Sequence, residues 1–260
     1  MEIDLALVTG AGRGIGRSIG QAIGTKGVHV VCISQSERCT ATAESIKCNG
    51  GSAEGMVLDI SDLDRCERIM GDAVNRLQPR RLGLVLAAAA LGAPGGLIDG
   101  PALGEWANIF RTNVLGNLAV FRACLPRMRA TKFGRVVALA GGGAAYAYPE
   151  FSAYALSKAA MVRAIENADI ELRGLGDFAL VALAPGAVAT DMLAKVQTAG
   201  GAVRTTASID EAVGFVVEFF SRDARGLSGR FVHVRDEWEK YLRVSADTLA
   251  PDHWKLRRIE

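Results

Sequence analysis

Thr9-Gly10-Ala11-Gly12-Arg13-Gly14-Ile15-Gly16 decides how this chain is read. A short apolar run, Leu5-Ala6-Leu7-Val8, precedes it, and the stretch from Ile15 to Lys26 has the spacing of a helix. A glycine-rich link between strand and helix lets the backbone curl beneath a pyrophosphate, whose charge meets free N–H groups and the positive end of the helix dipole. An ordinary tight turn has the same composition. What gives the glycines meaning is their position, after a first strand and at the start of a strand–helix–strand unit. Gly10, Gly12, Arg13, Gly14, Ile15 and Gly16 are therefore candidate contacts to a nucleotide.

Outward from this turn the pattern alternates. Apolar segments at Leu5-Val8, Val28-Ile33, Met56-Leu58, Leu82-Ala87, Arg135-Ala140, Phe178-Ala184 and Phe231-Val234 read as strands. The stretches Ile15 to Lys26, Glu37 to Cys48, Asp62 to Leu77, Leu103 to Arg129, Ser152 to Arg173 and Ile209 to Ser221 read as helices. Several strands are continuously apolar, which places them under helices on both faces of a mostly parallel sheet of about seven strands. The expectation is an α/β protein with one doubly wound domain over residues 1–236 and a tail over 237–260 that packs on the domain or on a neighbouring subunit. Gly200 to Ser208 lacks periodicity and reads as a loop.

Composition narrows the classes. The 260 residues are 50% hydrophobic and 22% charged, which excludes disorder, collagen and coiled coil. Thirty Lys+Arg against 28 Asp+Glu, a net charge of +2, leave no footprint for nucleic acid. Cys32, Cys39, Cys48, Cys66 and Cys124 contain no C-x-x-C pair and read as reduced structural thiols, so a cytoplasmic location is expected. His29, His233 and His253 read as structural, and no metal-ligand set is found. The acidic start and the glycines and Pro94 inside the most apolar window give neither a signal peptide nor a membrane span.

After the second strand, a ribose 2′-OH is usually met by a carboxylate, whereas a 2′-phosphate needs a basic partner. Here the run is Ser34-Gln35-Ser36-Glu37-Arg38. Ser34 stands at the strand end, and Arg13 and Arg38 can reach a phosphate, which favours NADP(H) and leaves NAD(H) possible. Glu37 and Arg38 can equally form the solvated first turn of a helix. Asp59, with Ile60 beside it, can accept a bond from an adenine amino group or serve a helix start, for which Ser61 or Asp62 is better placed.

Tyr154 and Lys158, four residues apart, lie on one helical face. A phenol titrates near ~10, and an adjacent ammonium lowers that value, so Lys158 is expected to tune Tyr154 as an acid–base group. A lone pair at this spacing also occurs by chance on amphipathic helices. Together with the turn, Asp59, Asn113 in Thr112-Asn113-Val114-Leu115-Gly116, and Pro185-Gly186-Ala187-Val188-Ala189-Thr190, the pattern resembles the short-chain dehydrogenase/reductase family in its classical form. The resemblance spans nearly the whole chain and implies a Rossmann-type fold. It also implies hydride transfer between nicotinamide and a ketone or secondary alcohol, with Tyr154 as general acid in reduction. Lys158 would bond the nicotinamide ribose, Asn113 would hold a water in a proton relay, and Ala88 and Pro185 to Thr190, including Gly186 and Val188, would contact the cofactor. A homodimer or homotetramer is implied as well, along with a small carbonyl or alcohol substrate.

The sequence departs from the family in three places. A serine stands thirteen residues before the tyrosine in most members; here that position is Gly141, which a count of seven from Gly134 also reaches. Tyr146, Tyr148 or Ser152 are the hydroxyls that can reach inward instead, or the glycines leave room for a bulky substrate. The family's N-N-A-G becomes Ala87-Ala88-Ala89-Ala90, for which weaker bracing of the sheet is expected. The terminus is long and aromatic, with Trp238, Tyr241 and Trp254. Met192 to Ser208 is expected to act as a lid. A rival reading is a weak or inactive relative that binds a dinucleotide as a sensor or subunit.

Overall fold

The computed structural model describes every residue except 202, 204, 205, 246 and 257–260. In chain order its elements are β1 (Leu5–Thr9), α1 (Gly14–Gly24), β2 (His29–Ser34), α2 (Arg38–Cys48), β3 (Ser52–Val57), α3 (Leu63–Leu77) and β4 (Leu82–Leu86). Next come α4 (Leu103–Phe110), a π turn (Arg111–Gly116), α5 (Asn117–Thr131), β5 (Phe133–Leu139), a 3-10 turn (Gly142–Ala144), α6 (Ser152–Leu172) and β6 (Asp177–Ala184). The chain continues through β7 (Ala187–Val188), α7 (Asp191–Thr198), β8 (Thr206–Ala207), α8 (Ile209–Ser221), β9 (Arg230–His233) and a 3-10 turn at Trp238–Tyr241.

Seven strands form one parallel sheet in the order β3-β2-β1-β4-β5-β6-β9, while β7 and β8 pair separately. Val8 of β1 is in register with Cys32 on one side and Val85 on the other. The order in which the strands are laid down turns back between β1 and β4, the point where parallel sheets of this kind leave a crevice at the carboxyl ends of their strands. β1, β4 and β5 are buried along their whole length because helices cover both faces. One face packs Ile19, Ile23, Phe215 and Phe219; the other packs Met70, Val120, Val162 and Ile165. Each such side chain contributes on the order of 1.5–3 kcal/mol on burial.

Three elements differ from the pattern reading. β3 is one of the sheet's two edge strands and starts at Ser52, because its half-exposed residues carry too few apolar positions to be seen in an apolar run. The helix expected from Leu103 to Arg129 is interrupted by the π turn, which buries Asn113. The expected lid contains α7, capped by Thr190, whose side chain accepts from Leu193 N–H; positions 202, 204 and 205 of that segment lie outside the described residues.

The described part of the tail packs on the chain's own β9 and α6. The buried Arg230 guanidinium donates to the carbonyls of Ala250 (2.8 Å) and His253 (2.7 Å), and Phe231 N–H donates to the Trp254 carbonyl. Leu256 N–H donates to Glu166 Oε1 at 2.9 Å, and Trp238 meets Phe215 edge-on at 4.7 Å. Residues 246 and 257–260 of the expected tail lie outside the described set.

Candidate active site

The glycine turn is dictated by close approach. A Cβ on Gly16 would lie 2.5 Å from the Gly10 carbonyl oxygen, and one on Gly10, whose φ is +68°, would lie 3.0 Å from the backbone of Ala87 and Ala88. α1 then starts at Gly14 with no side-chain cap on its N-terminus and no acidic residue in its first turn, leaving its positive end open to an anion. Gly12 sits against Ser34 and Arg38, each 3.0 Å from where its Cβ would be, and Gly14 faces the Thr190 methyl at 3.4 Å. Residues from β1, β2 and the segment after β6 thus line one side of the crevice. These glycines form a cradle that side chains would fill, and they fit a dinucleotide.

The two arginines are in different situations. Arg13 pairs with Asp191 at the start of α7, at 3.4 Å and with both side chains exposed. Arg38 has no ion-pair partner among the described residues. Ser34 Oγ closes a local turn by donating to the Ser36 carbonyl at 2.6 Å, and Glu37 accepts from Thr40 Oγ1 at 3.2 Å. Asp59 is drawn into its own turn, accepting from Ser61 N–H (2.9 Å) and Oγ (2.8 Å), while Asp62 caps α3. Ile60 follows it, buried, with its carbonyl 2.6 Å from where a Cβ on Gly116 would be.

The tetra-alanine segment is braced through its backbone by side chains from outside it. Thr9 Oγ1 accepts from the N–H groups of Ala87 (2.8 Å) and Ala88 (3.0 Å) and bonds Asn117 Oδ1 at 2.9 Å. Asn117 Nδ2 donates to the Ala88 carbonyl at 2.9 Å, and Asn113 both accepts from Ala90 N–H (2.6 Å) and donates to its carbonyl (2.9 Å). Three side chains from β1, the π turn and α5 therefore hold a loop whose own side chains can bond nothing. The sequence reading missed Asn117; its signal is the spacing of four from Asn113, which puts both amides on one side of the helix. Ser157 was missed too: it accepts from Asn113 Nδ2 at 2.9 Å and donates to the Tyr154 carbonyl at 2.7 Å, linking the π turn to α6.

Tyr154 and Lys158 come to the same crevice on α6. Lys158 is 2% exposed, its Nζ donates to the Leu139 carbonyl at 2.7 Å, and it stands 5.5 Å from the centre of the Tyr154 ring. Burial lowers its ammonium to about 8. Burial, with Tyr148 as a smaller second cause, pushes the Tyr154 phenol up to about 12. This departs from the expected downward tuning: Lys158 bonds a backbone carbonyl rather than the phenol oxygen, and desolvation of the phenolate dominates. The phenol is thus firmly protonated at neutral pH, and its hydroxyl has no hydrogen-bond partner among the described residues.

Gly141 faces this hydroxyl. A Cβ at position 141 would lie 3.7 Å from Tyr154 Oη, an ordinary contact, and the backbone there is extended and open to any residue. Tyr154 also packs, with Tyr148, Met192 and Ala199, against a small apolar cluster of Leu91, Phe151 and Val196, which brings α7 beside it. Pro185, Gly186 (φ +71°) and Val188 carry the chain from β6 to α7, and Ala207 lies 2.9 Å from where a Gly186 Cβ would be. Burial pushes the thiols of Cys32 and Cys66 up to about 12 and about 11, so neither is a nucleophile at neutral pH. Among the described residues no group of three or more His, Cys, Asp or Glu is placed to hold a metal, and no helix is long and apolar enough to cross a membrane.

A dinucleotide cradle facing a buried Tyr–Lys pair across the switch point of a parallel sheet defines an oxidoreductase class that uses a nicotinamide cofactor. Residues 4–200 match the family described as short chain dehydrogenase, and the chain belongs to that family. It is 33% identical to a short chain dehydrogenase of Pseudocercospora fijiensis, over 72% of this chain and 60% of that protein's length. It is 29% identical to a versicolorin reductase of Emericella nidulans, over 88% of this chain and 93% of the relative. Among solved structures, a protein from Beutenbergia cavernae assigned as an NAD(P) dependent gluconate 5-dehydrogenase, with bound NADP, superposes with a TM-score of 0.80 at 28% identity, covering 91% of this chain and 96% of that one.

Proposed function

We propose that the protein is an NADP(H)-preferring reductase of a small or cyclic ketone, or the corresponding secondary-alcohol dehydrogenase, with Tyr154 as its acid–base group. The observation that carries this reading is the protonated Tyr154 hydroxyl, which bonds none of the described residues and is set beside Gly141 in the crevice that the glycine turn opens. When bound, a nicotinamide supplies or accepts the hydride. In reduction, Tyr154 donates its proton to the carbonyl oxygen as that oxygen takes the C=O electron pair; in oxidation it recovers the proton from the alcohol. Lys158, an ammonium below about pH 8, keeps a positive charge beside the phenolate as it forms and is assigned the bond to the nicotinamide ribose. Asn113 fixes the Ala90 backbone and is assigned the proton-relay water.

The NADP preference rests on Arg38, a cation with no ion-pair partner among the described residues, beside Ser34 and Gly12 and with no carboxylate at the strand end. Arg13 is the second candidate for the 2′-phosphate, after release from Asp191. Gly10, Gly14, Ile15 and Gly16 are assigned to the pyrophosphate, Asp59, Ile60 and Ala88 to the adenosine, and Pro185, Gly186, Val188 and Thr190 to the carboxamide side. The apolar wall of Leu91, Met192 and Val196 suits a substrate with a hydrocarbon ring, in keeping with the ketone class. A sensor that binds the cofactor without turnover is the second reading, favoured by the absent side chain at Gly141. Calorimetry with NADPH and NADH, then reduction of a ketone panel, tests both: tighter NADPH binding with consumption of any ketone supports the reductase, and tighter NADH binding overturns the cofactor assignment.

A further inference from the structure

Gly141 leaves the substrate oxygen with one side-chain donor, Tyr154, where a developing oxyanion is best served by two. The neighbouring segment carries hydroxyls, and their surroundings separate them. Ser152 Oγ donates to the Pro149 carbonyl at 3.3 Å. Tyr146 is 55% exposed. Tyr148 is half-buried, its ring centre 5.7 Å from that of Phe151, in the same apolar cluster that Tyr154, Val196 and Met192 join.

Four observations single out Tyr148. Its hydroxyl has no hydrogen-bond partner among the described residues. It packs with Tyr154 against the same cluster of Leu91, Phe151 and Val196. A Cβ on Gly201 would come within 2.8 Å of its oxygen, so the segment after α7 keeps a residue without a side chain against this hydroxyl. Burial raises its phenol above the ordinary value, so it holds its proton, and can donate it, throughout the neutral range.

We propose that Tyr148 is a second catalytic hydroxyl, donating to the substrate's carbonyl oxygen the hydrogen bond that the residue at 141 cannot. This rests on the reductase reading above and adds no covalent step: Tyr154 still transfers the proton, and Tyr148 keeps its own. The residue also bears on specificity, since a bulky aromatic reaching in from the 141–151 segment leaves open the space directly beside Gly141.

The test measures NADPH-dependent reduction of a ketone from the panel by the wild type, Tyr148→Phe, and Tyr148→Phe combined with Gly141→Ser. The expected result is a kcat about 10²-fold lower for Tyr148→Phe, an NADPH Kd within about twofold, and recovery of at least about tenfold on adding Gly141→Ser. A role in packing alone predicts no such recovery, because Gly141→Ser restores a hydroxyl and not an aromatic edge. Turnover within about threefold of the wild type for Tyr148→Phe, or a loss that Gly141→Ser leaves uncorrected, overturns the proposal. Tyr154→Phe separates the two levels: if it abolishes turnover while Tyr148→Phe does not, this inference alone fails. If the wild type reduces no ketone, or Tyr154→Phe is as active as the wild type, the reductase reading falls and this role with it.

Discussion

The two ends of the crevice are held in different ways. At the cofactor end, backbone meets backbone at van der Waals limits: Gly16 against Gly10, Gly10 against Ala87 and Ala88, with Thr9, Asn113 and Asn117 pinning the loop by hydrogen bonds. At the substrate end, the phenols of Tyr154 and Tyr148 have no hydrogen-bond partner among the described residues and lie in an apolar cluster that α7 helps to form. The first end is built to one shape. The second keeps its polar groups free for a ligand, and the cluster's burial raises both phenols.

This contrast can be broken most sharply at Tyr154. Tyr154→Phe is expected to lower turnover by roughly 10²–10⁴-fold while leaving the NADPH Kd within about twofold, as read by steady-state kinetics and calorimetry. Equal losses in both would mean that the two ends are one mechanical unit. The mirror experiment is Gly16→Ala, whose methyl would sit 2.5 Å from the Gly10 carbonyl oxygen. Overpacking of this kind costs ~1–3 kcal/mol, so NADPH should bind about 5- to 150-fold more weakly, with the pH profile of the remaining turnover unchanged.

Arg38→Gln sharpens the cofactor end alone. Losing a charge-assisted bond of ~1.5–3 kcal/mol predicts about 10- to 150-fold weaker NADPH binding, with NADH affinity within about twofold. Equal weakening of both cofactors would place the arginine elsewhere than on a 2′-phosphate.

The smallest effect is in pH. Lys158 carries its charge below about pH 8, so kcat/KM for reduction should decline as pH rises through that value. Stability should move the opposite way. Between about 8 and the unfolded value of 10.5 the unfolded chain binds the extra proton, so this group's cost is relieved as pH rises. Thermal melts at pH 8 and 10 for the wild type and Lys158→Met isolate that rise, which the variant should lack.

The same contrast explains what the sequence made legible. Positions fixed by backbone geometry, such as Gly10, Gly14 and Gly16, or by one helical face, such as Tyr154 and Lys158, leave a spacing that can be read directly. The parallel sheet was legible for the same reason, through strands buried on both faces. The bracing of the Ala87–Ala90 loop was hidden because the side chains that hold it lie on β1, the π turn and α5, far away in sequence. The π turn at Asn113 was hidden because a single i+5 turn inside a long helix has no composition signal of its own. The upward shift of Tyr154 depends on the number of apolar neighbours that α7 and Phe151 bring, which no local spacing encodes.

The most direct test follows NADPH absorbance in the presence of a panel of cyclic ketones, comparing the wild type with Tyr154→Phe. The wild type is expected to oxidise NADPH with at least one ketone, and Tyr154→Phe, binding NADPH equally well, is expected not to. Tight NADPH binding by the wild type without oxidation across the panel would contradict the reductase reading and leave a dinucleotide-binding sensor in its place.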